Sequence, residues 1–113
     1  MHELQIANEI IDVVEREMSD RRLTRIEAIG ISLGALSGVD PEALRFGFEA
    51  ATADTHLAGV RLELEELPVR AVCRGCERRI EIETLVFICP YCGSGDLDVL
   101  QGQELDIVYL HAE

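Results

Sequence analysis

Apolar side chains recur at three- and four-residue spacing near the start of the chain. Leu4, Ile6, Ala7, Ile10, Ile11, Val14 and Met18 alternate with Glu9, Asp12, Glu15 and Arg16. This spacing predicts an amphipathic helix over residues 3–18 that begins almost at the first residue. Ser19 to Arg22 breaks the period. Leu23 to Leu33 then predicts a strand with Ile29, Ile31 and Leu33 on one face, Ile26 and Ala28 on the other, and cover on both. After the small-residue connection Gly34 to Gly38, Asp40 and Pro41 supply an N-cap and a first helical position. The helix they open is expected to run to about Ala53, with Leu44, Phe48 and Ala51 as its buried stripe and Phe46 beside it. Val60, Leu62 and Leu64 alternate with Arg61, Glu63 and Glu65 as a half-buried strand that Pro68 ends.

Between Val69 and Leu100 the pattern shortens. Ile80, Ile82, Leu85 and Phe87 are too few for an independent core, so a metal must substitute for one. After Gly102, the run Leu105, Ile107 and Tyr109, with Val108 and Leu110 opposite, predicts a last strand that returns to the earlier sheet. The fold class expected is α+β: a small mixed sheet of about three strands with two helices, plus an inserted zinc-ribbon-like subdomain. The boundaries drawn are 1–67 with 101–113 for the first domain and 68–100 for the insertion.

Composition narrows the partners. The chain has 113 residues and a formal charge of −12, from 22 acidic and 10 basic residues. Every basic residue is arginine. Nucleic acid is excluded as a partner because phosphate binding needs clustered cations. No run approaches the roughly 20 apolar residues of a membrane helix, and no signal-peptide layout opens the chain, so a cytoplasmic location is expected. Under reducing conditions, four cysteines in two close pairs point to metal ligation before disulfides.

Those pairs are Cys73-Arg-Gly-Cys76 and Cys89-Pro-Tyr-Cys92, separated by 12 residues. Each tight turn presents two thiolates to one ion, and Gly93 lets the second turn aim its amide hydrogens at sulfur. Four protein ligands leave no position for water or substrate, which indicates structural zinc. A rubredoxin-like iron site uses the same four thiolates and remains the electron-transfer alternative. A zinc-ribbon interaction or regulatory module is the other.

The opening Met1-His2-Glu3 carries a second donor set. The Met1 amine, the His2 amide nitrogen and the His2 imidazole can close small chelate rings on one ion, and the Glu3 amide or carboxylate adds a fourth donor. Nitrogen-rich tetragonal ligation favours nickel(II) or copper(II). Protons compete for these ligands, so binding weakens in mild acid. A histidine at position 2 is more often a solvated residue at a frayed end. His56 and His111 are expected to be exposed bystanders, with His56 the one auxiliary-ligand candidate. Glu63, Glu65 and Glu66 are expected to form a solvated face. No nucleophile with its base and no glycine-rich phosphate loop is present, so an enzyme is not expected.

Three features together carry a family resemblance. They are Met1-His2-Glu3-Leu4 running into the first helix, Asp40-Pro41-Glu42-Ala43-Leu44 with Phe46 and Phe48, and the double knuckle with Pro90, Gly93 and Ser94, closed by Gly102 and Glu104-Leu105. Over essentially its whole length the chain resembles the HypA/HybF family of nickel metallochaperones. The resemblance implies delivery of nickel(II) to the large subunit of [NiFe]-hydrogenase and, in some organisms, to urease through its accessory proteins. It implies nickel at Met1, His2 and Glu3, and zinc at Cys73, Cys76, Cys89 and Cys92. It also implies work alongside the accessory GTPase HypB, with the first helix in that contact.

Overall fold

The computed structural model describes residues 2–83 and 86–112; Met1 and Leu85, both named above, lie outside the described residues. The element order is α1 (His2–Arg21), β1 (Ile26–Gly34), α2 (Pro41–Thr52), β2 (Arg61–Leu67), β3 (Val69–Cys73), β4 (Arg79–Ile82), β5 (Leu97–Gln101) and β6 (Leu105–Ala112). Two three-stranded sheets result, one ordered β2-β1-β6 and the other β4-β3-β5. The α+β class, with two helices on small sheets and the cysteine segment inserted before the last strand, is the observed architecture.

The chain forms two compact units: Met1–Ser32 with Val39–Glu65 and Asp106–Glu113, and Leu33–Gly38 with Glu66–Leu105. In the first unit, α1 buries Ile6, Ala7, Ile10, Val14 and Met18. These positions reproduce the helical period. The helix nevertheless runs on through Arg21 rather than breaking at Ser19. Arg21 pairs with Glu17 one turn back at 2.7 Å, and the end is a Schellman closure in which Leu23 N–H donates to Met18 O at 2.9 Å. Arg22, at φ 54°, occupies the left-handed position usually held by glycine. Without a glycine, the only sequence signal for the stop is the loss of the apolar period from Ser19 to Arg22.

Helix α2 starts as expected: the Asp40 side chain accepts from the Glu42 and Ala43 amides, with Pro41 in the first turn. Its buried face is Leu44, Gly47, Phe48 and Thr52. One expectation is corrected here: Ala51 is only partly buried. Phe46, set beside the stripe, is 74% exposed. Position 47 faces α1 instead, and a Cβ there would lie 3.5 Å from Leu4 Cα. That is ordinary van der Waals contact, so the helices pack there with space for a methyl group. The buried Thr52 hydroxyl donates back to Phe48 O at 2.8 Å. In β1, Ile26, Ala28, Ile29 and Ile31 are all buried, so both faces of this middle strand are covered. Beside it, Gly30 lies beneath the Tyr109 ring, which an added Cβ would overlap.

The second unit has a small core of Val69, Ala71, Cys73, Ile80, Ile82 and Cys89, with Leu36, Cys76, Leu97 and Val99 packed against it. Strand β3 pairs antiparallel with β4 and β5. Pro68 separates β2 from β3. Phe87 is not part of this core and is exposed. Leu33–Gly38 is tied into the unit by Ala35 N–H to Leu67 O at 2.9 Å and Leu36 N–H to Gly102 O at 2.6 Å. At Gly34 a Cβ would run into the Gly102 carbonyl.

Candidate metal centre

Two short turns with the same hydrogen-bond pattern build the cysteine cluster. In the first, Cys73 N–H donates to Arg78 O at 2.9 Å, while Glu77 N–H returns to Cys73 O at 2.7 Å. In the second, Cys89 N–H donates to Ser94 O at 2.8 Å, and Gly93 N–H returns to Cys89 O at 2.9 Å. Each turn needs a left-handed residue after its second cysteine. Gly93 supplies it at φ 77°, and Glu77 does so at φ 64°. The turns meet across the centre, where a Cβ at Gly75 would touch Ser94 Cβ at 3.4 Å. Arg78 lies over the Tyr91 ring at 4.5 Å, a cation–π contact linking the two knuckles.

This arrangement brings the Sγ atoms of Cys73, Cys76, Cys89 and Cys92 within 4.8 Å of one another. Cys73 and Cys92 are 3.5 Å apart, and Cys76 and Cys89 are 3.7 Å apart. A tetrahedral zinc with bonds of about 2.3 Å places its sulfurs about 3.8 Å from each other. Both separations are close to that edge and far beyond the roughly 2 Å of a disulfide, and all four cysteines are free. The donor set therefore fits one tetrahedral ion.

Backbone amides prepare the sulfurs for it. The Cys76 amide, followed by that of Gly75, holds the Cys73 thiol below its ordinary value against the opposing effect of burial. Burial is the largest single influence on Cys89 and acts upward, but the Cys92 and Tyr91 amides together with neighbouring thiols bring it down to about 7. At Cys92 the Ser94 amide acts downward, yet the Cys73 thiol, burial and the other sulfurs push it up to about 12. Some thiols in the cluster thus ionise readily, and charge already present opposes ionising the last one. A divalent cation removes that opposition.

At the other predicted set, His2 is exposed in the first turn of α1. Its Nδ1 is 3.7 Å from Glu3 Oε2. That oxygen also accepts from Asp40 N–H at 3.3 Å. The Asp40 amide, then Glu3's own amide, holds the Glu3 carboxyl below the usual carboxylate range, with His2 adding to the effect. Asp40 is a residue that sequence reasoning assigned only to capping. His56 is exposed and bonds through Nε2 to Glu15 Oε1 at 2.6 Å. His111 stacks on Tyr109 with ring centroids 4.8 Å apart. Neither joins a group of metal-ligating side chains among the described residues.

Residues 1–112 match the family model described as "Hydrogenase/urease nickel incorporation, metallochaperone, hypA". Among curated relatives, the hydrogenase maturation factor HypA of Azotobacter chroococcum mcd 1 is 42% identical over 113 residues, covering all of both chains. The same factor from Azotobacter vinelandii is 41% identical with equal coverage. In three dimensions the chain is similar to a solution structure titled HypA protein, with TM-score 0.70 and 21% identity over 100% of this chain and 97% of that one. It is also similar to the solution structure of the Ni metallochaperone HypA from Helicobacter pylori, with TM-score 0.64 and 20% identity over 97% and 96%. At such identities these two structures speak for the fold alone. With the family model spanning nearly every residue and full-length relatives above 40% identity, this chain belongs to the HypA family of nickel metallochaperones.

Proposed function

We propose that the chain is a carrier, without catalytic turnover of its own, that binds nickel(II) through Met1, His2 and Glu3 and releases it during hydrogenase maturation. The whole-length family match carries this reading. In it, residues 1–67 with 101–113 form the nickel domain and 68–100 the zinc subdomain, where Cys73, Cys76, Cys89 and Cys92 hold a structural zinc. The partners are the GTPase HypB and the large subunit of [NiFe]-hydrogenase, with urease accessory proteins as a further recipient route, and the setting is the cytoplasm.

Local chemistry supports a nickel site made of nitrogens. Helix α1 begins at His2, so the His2 and Glu3 amides belong to the first turn, whose N–H groups have no intrahelical acceptor. The positive end of the helix dipole disfavours a bare dication there. Ionised amide nitrogens offset that cost and suit tetragonal nickel(II). Because the Asp40 amide already occupies the Glu3 carboxylate, the Glu3 amide is the freer fourth donor.

The test is nickel calorimetry on protein with its native N-terminus, on His2→Ala, and on a version whose amine is blocked by a tag. Both changes should abolish nickel binding while zinc content and circular dichroism stay as in the parent. Unchanged nickel affinity in either would remove the proposed site. For the cysteine cluster, metal analysis should return one zinc per chain in colourless protein, and a red protein rich in iron would establish the electron-transfer alternative.

A further inference from the structure

The four cysteines differ in access. Cys73 and Cys89 are buried in the small core of the second unit, Cys76 is half-buried, and Cys92 is exposed. Its neighbours Pro90, Tyr91 and Gly93 are exposed as well, and nothing lies within 4 Å of a Cβ placed on Gly93. A small solute therefore reaches Cys92 without any element moving. The Arg78 guanidinium over the Tyr91 ring adds positive charge next to this turn. Access combined with nearby positive charge is what separates reactive cysteines from inert structural ones.

The sulfur geometry fixes where a reaction at Cys92 leads. Cys92 Sγ lies 3.5 Å from Cys73 Sγ, and Cys76 Sγ lies 3.7 Å from Cys89 Sγ. Both contacts run from one knuckle to the other, not between the two cysteines of one Cys-x-x-Cys pair. Cys73 and Cys92 are 19 positions apart in the chain, so their disulfide closes a larger ring than either pair could, and a larger ring constrains the unfolded chain more. It also joins the two knuckles, as a shared metal ion does. A bond within one pair would leave them unjoined.

We propose that Cys92 is an oxidation site for peroxide, and that a Cys73–Cys92 disulfide then takes over from zinc as the link between the knuckles. The inference rests on the zinc reading above, under which all four sulfurs are thiolates. The Cys92 thiolate attacks one oxygen of hydrogen peroxide. The O–O bond breaks, hydroxide leaves and takes up a proton, and Cys92 becomes a sulfenic acid. The Cys73 thiolate, 3.5 Å away, attacks that sulfur; the S–O bond breaks and a second hydroxide is protonated to water. In sum, two thiolates, one peroxide and two protons give one disulfide and two waters, with two electrons passing from sulfur to oxygen. Cys76 and Cys89 alone do not complete a tetrahedral site, so the zinc is lost. A dithiol reductant together with zinc reverses the change.

The test treats the full zinc-loaded, nickel-free chain with hydrogen peroxide beside a chromophoric zinc indicator. Zinc content is measured first: a chain that carries none refutes the zinc reading and this proposal with it, whereas a zinc-loaded chain tests the proposal by itself. One equivalent of peroxide should release the zinc, give a Cys73–Cys92 cross-link in the peptide map, and leave Cys76 and Cys89 open to iodoacetamide. Dimedone present from the start should label Cys92 and no other cysteine. Amide exchange should show β3, β4 and β5 still protected in the cross-linked chain, and far less so in reduced chain stripped of zinc by a chelator. Zinc retained under a large excess of peroxide overturns the proposal. So does a Cys73–Cys76 or Cys89–Cys92 bond in place of Cys73–Cys92, or dimedone on another cysteine. Amide protection that disappears along with the zinc overturns the claim that the disulfide replaces it as the link.

Discussion

The two knuckles share one backbone design but fill its strained position differently, and that difference sets the sign of two substitutions. Gly93 has φ 77°, and nothing lies within 4 Å of a Cβ placed on it. Gly93→Ala therefore meets no steric obstacle, and its whole effect is conformational. An L-residue in the left-handed region costs about 1–2 kcal/mol, partly offset by about 0.4–1 kcal/mol because alanine is less free than glycine in the unfolded chain. The net loss expected is about 1 kcal/mol. Zinc binding and folding of the small second unit are linked, so this loss reads as about fivefold weaker zinc retention at about 1.4 kcal/mol per factor of ten. The equivalent Glu77, at φ 64°, already bears the strain. Glu77→Gly should hold zinc as tightly as the parent, or up to about fivefold more tightly, by the same arithmetic. Competition with a chromophoric chelator at fixed pH and salt measures both. If Gly93→Ala keeps parental zinc affinity, or Glu77→Gly loses it, backbone strain is not what distinguishes the two turns.

Gly34→Ala should behave differently from Gly93→Ala, since its Cβ would overlap the Gly102 carbonyl and come within 2.7 Å of Gln103 N. Backbone cannot swing aside as a side chain does, so a loss of about 1–3 kcal/mol or more is expected in chemical denaturation; a parental midpoint would show that the two segments are not packed this closely. Tyr109 donates to the Glu63 carboxylate, and that bond, burial and the nearby Glu63 and Glu65 charges raise its phenol above the ordinary value. Because the folded value is the raised one, the contribution to stability is complete below about pH 10 and lost as pH rises through the folded value. Phenolate absorbance, with Tyr109→Phe subtracted, should give a midpoint above 10 that Glu63→Gln lowers, and a midpoint indifferent to Glu63 would refute the assignment.

What was legible in the sequence is what repeats or carries a local motif. The three-and-four spacing of α1, the Asp40-Pro41 start of α2 and the cysteine spacing each depend on residues close together in the chain, so the physics that forms them acts within a window that can be read directly. The misses have the opposite character. Arg22 and Glu77 hold left-handed positions that glycine normally marks, and each is tolerated because a closed set of backbone hydrogen bonds surrounds it: Leu23 to Met18 in one case, Glu77 to Cys73 and Cys73 to Arg78 in the other. The buried face of α2 is Leu44, Gly47, Phe48 and Thr52, and Phe46, two residues from both Leu44 and Phe48, turns about 200° away around the helix and lies in solvent. Gly34 to Gly38 reads as a small-residue connector, whereas the missing Cβ of Gly34 is what lets it lie against the Gly102 carbonyl, to which the Leu36 amide also bonds.

The contact between Glu3 and Asp40 combines both cases. One residue belongs to a candidate metal-binding opening and the other is a helix cap, and their separation of 37 positions conceals that they meet. Asp40 uses its side chain to cap α2 and its backbone amide to hold Glu3. The cap fixes where that amide points, so the start of α2 orients the first turn of α1. The first turn of α1 is thereby tied to the start of α2 one residue after His2, and the His2 side chain stays exposed to solvent.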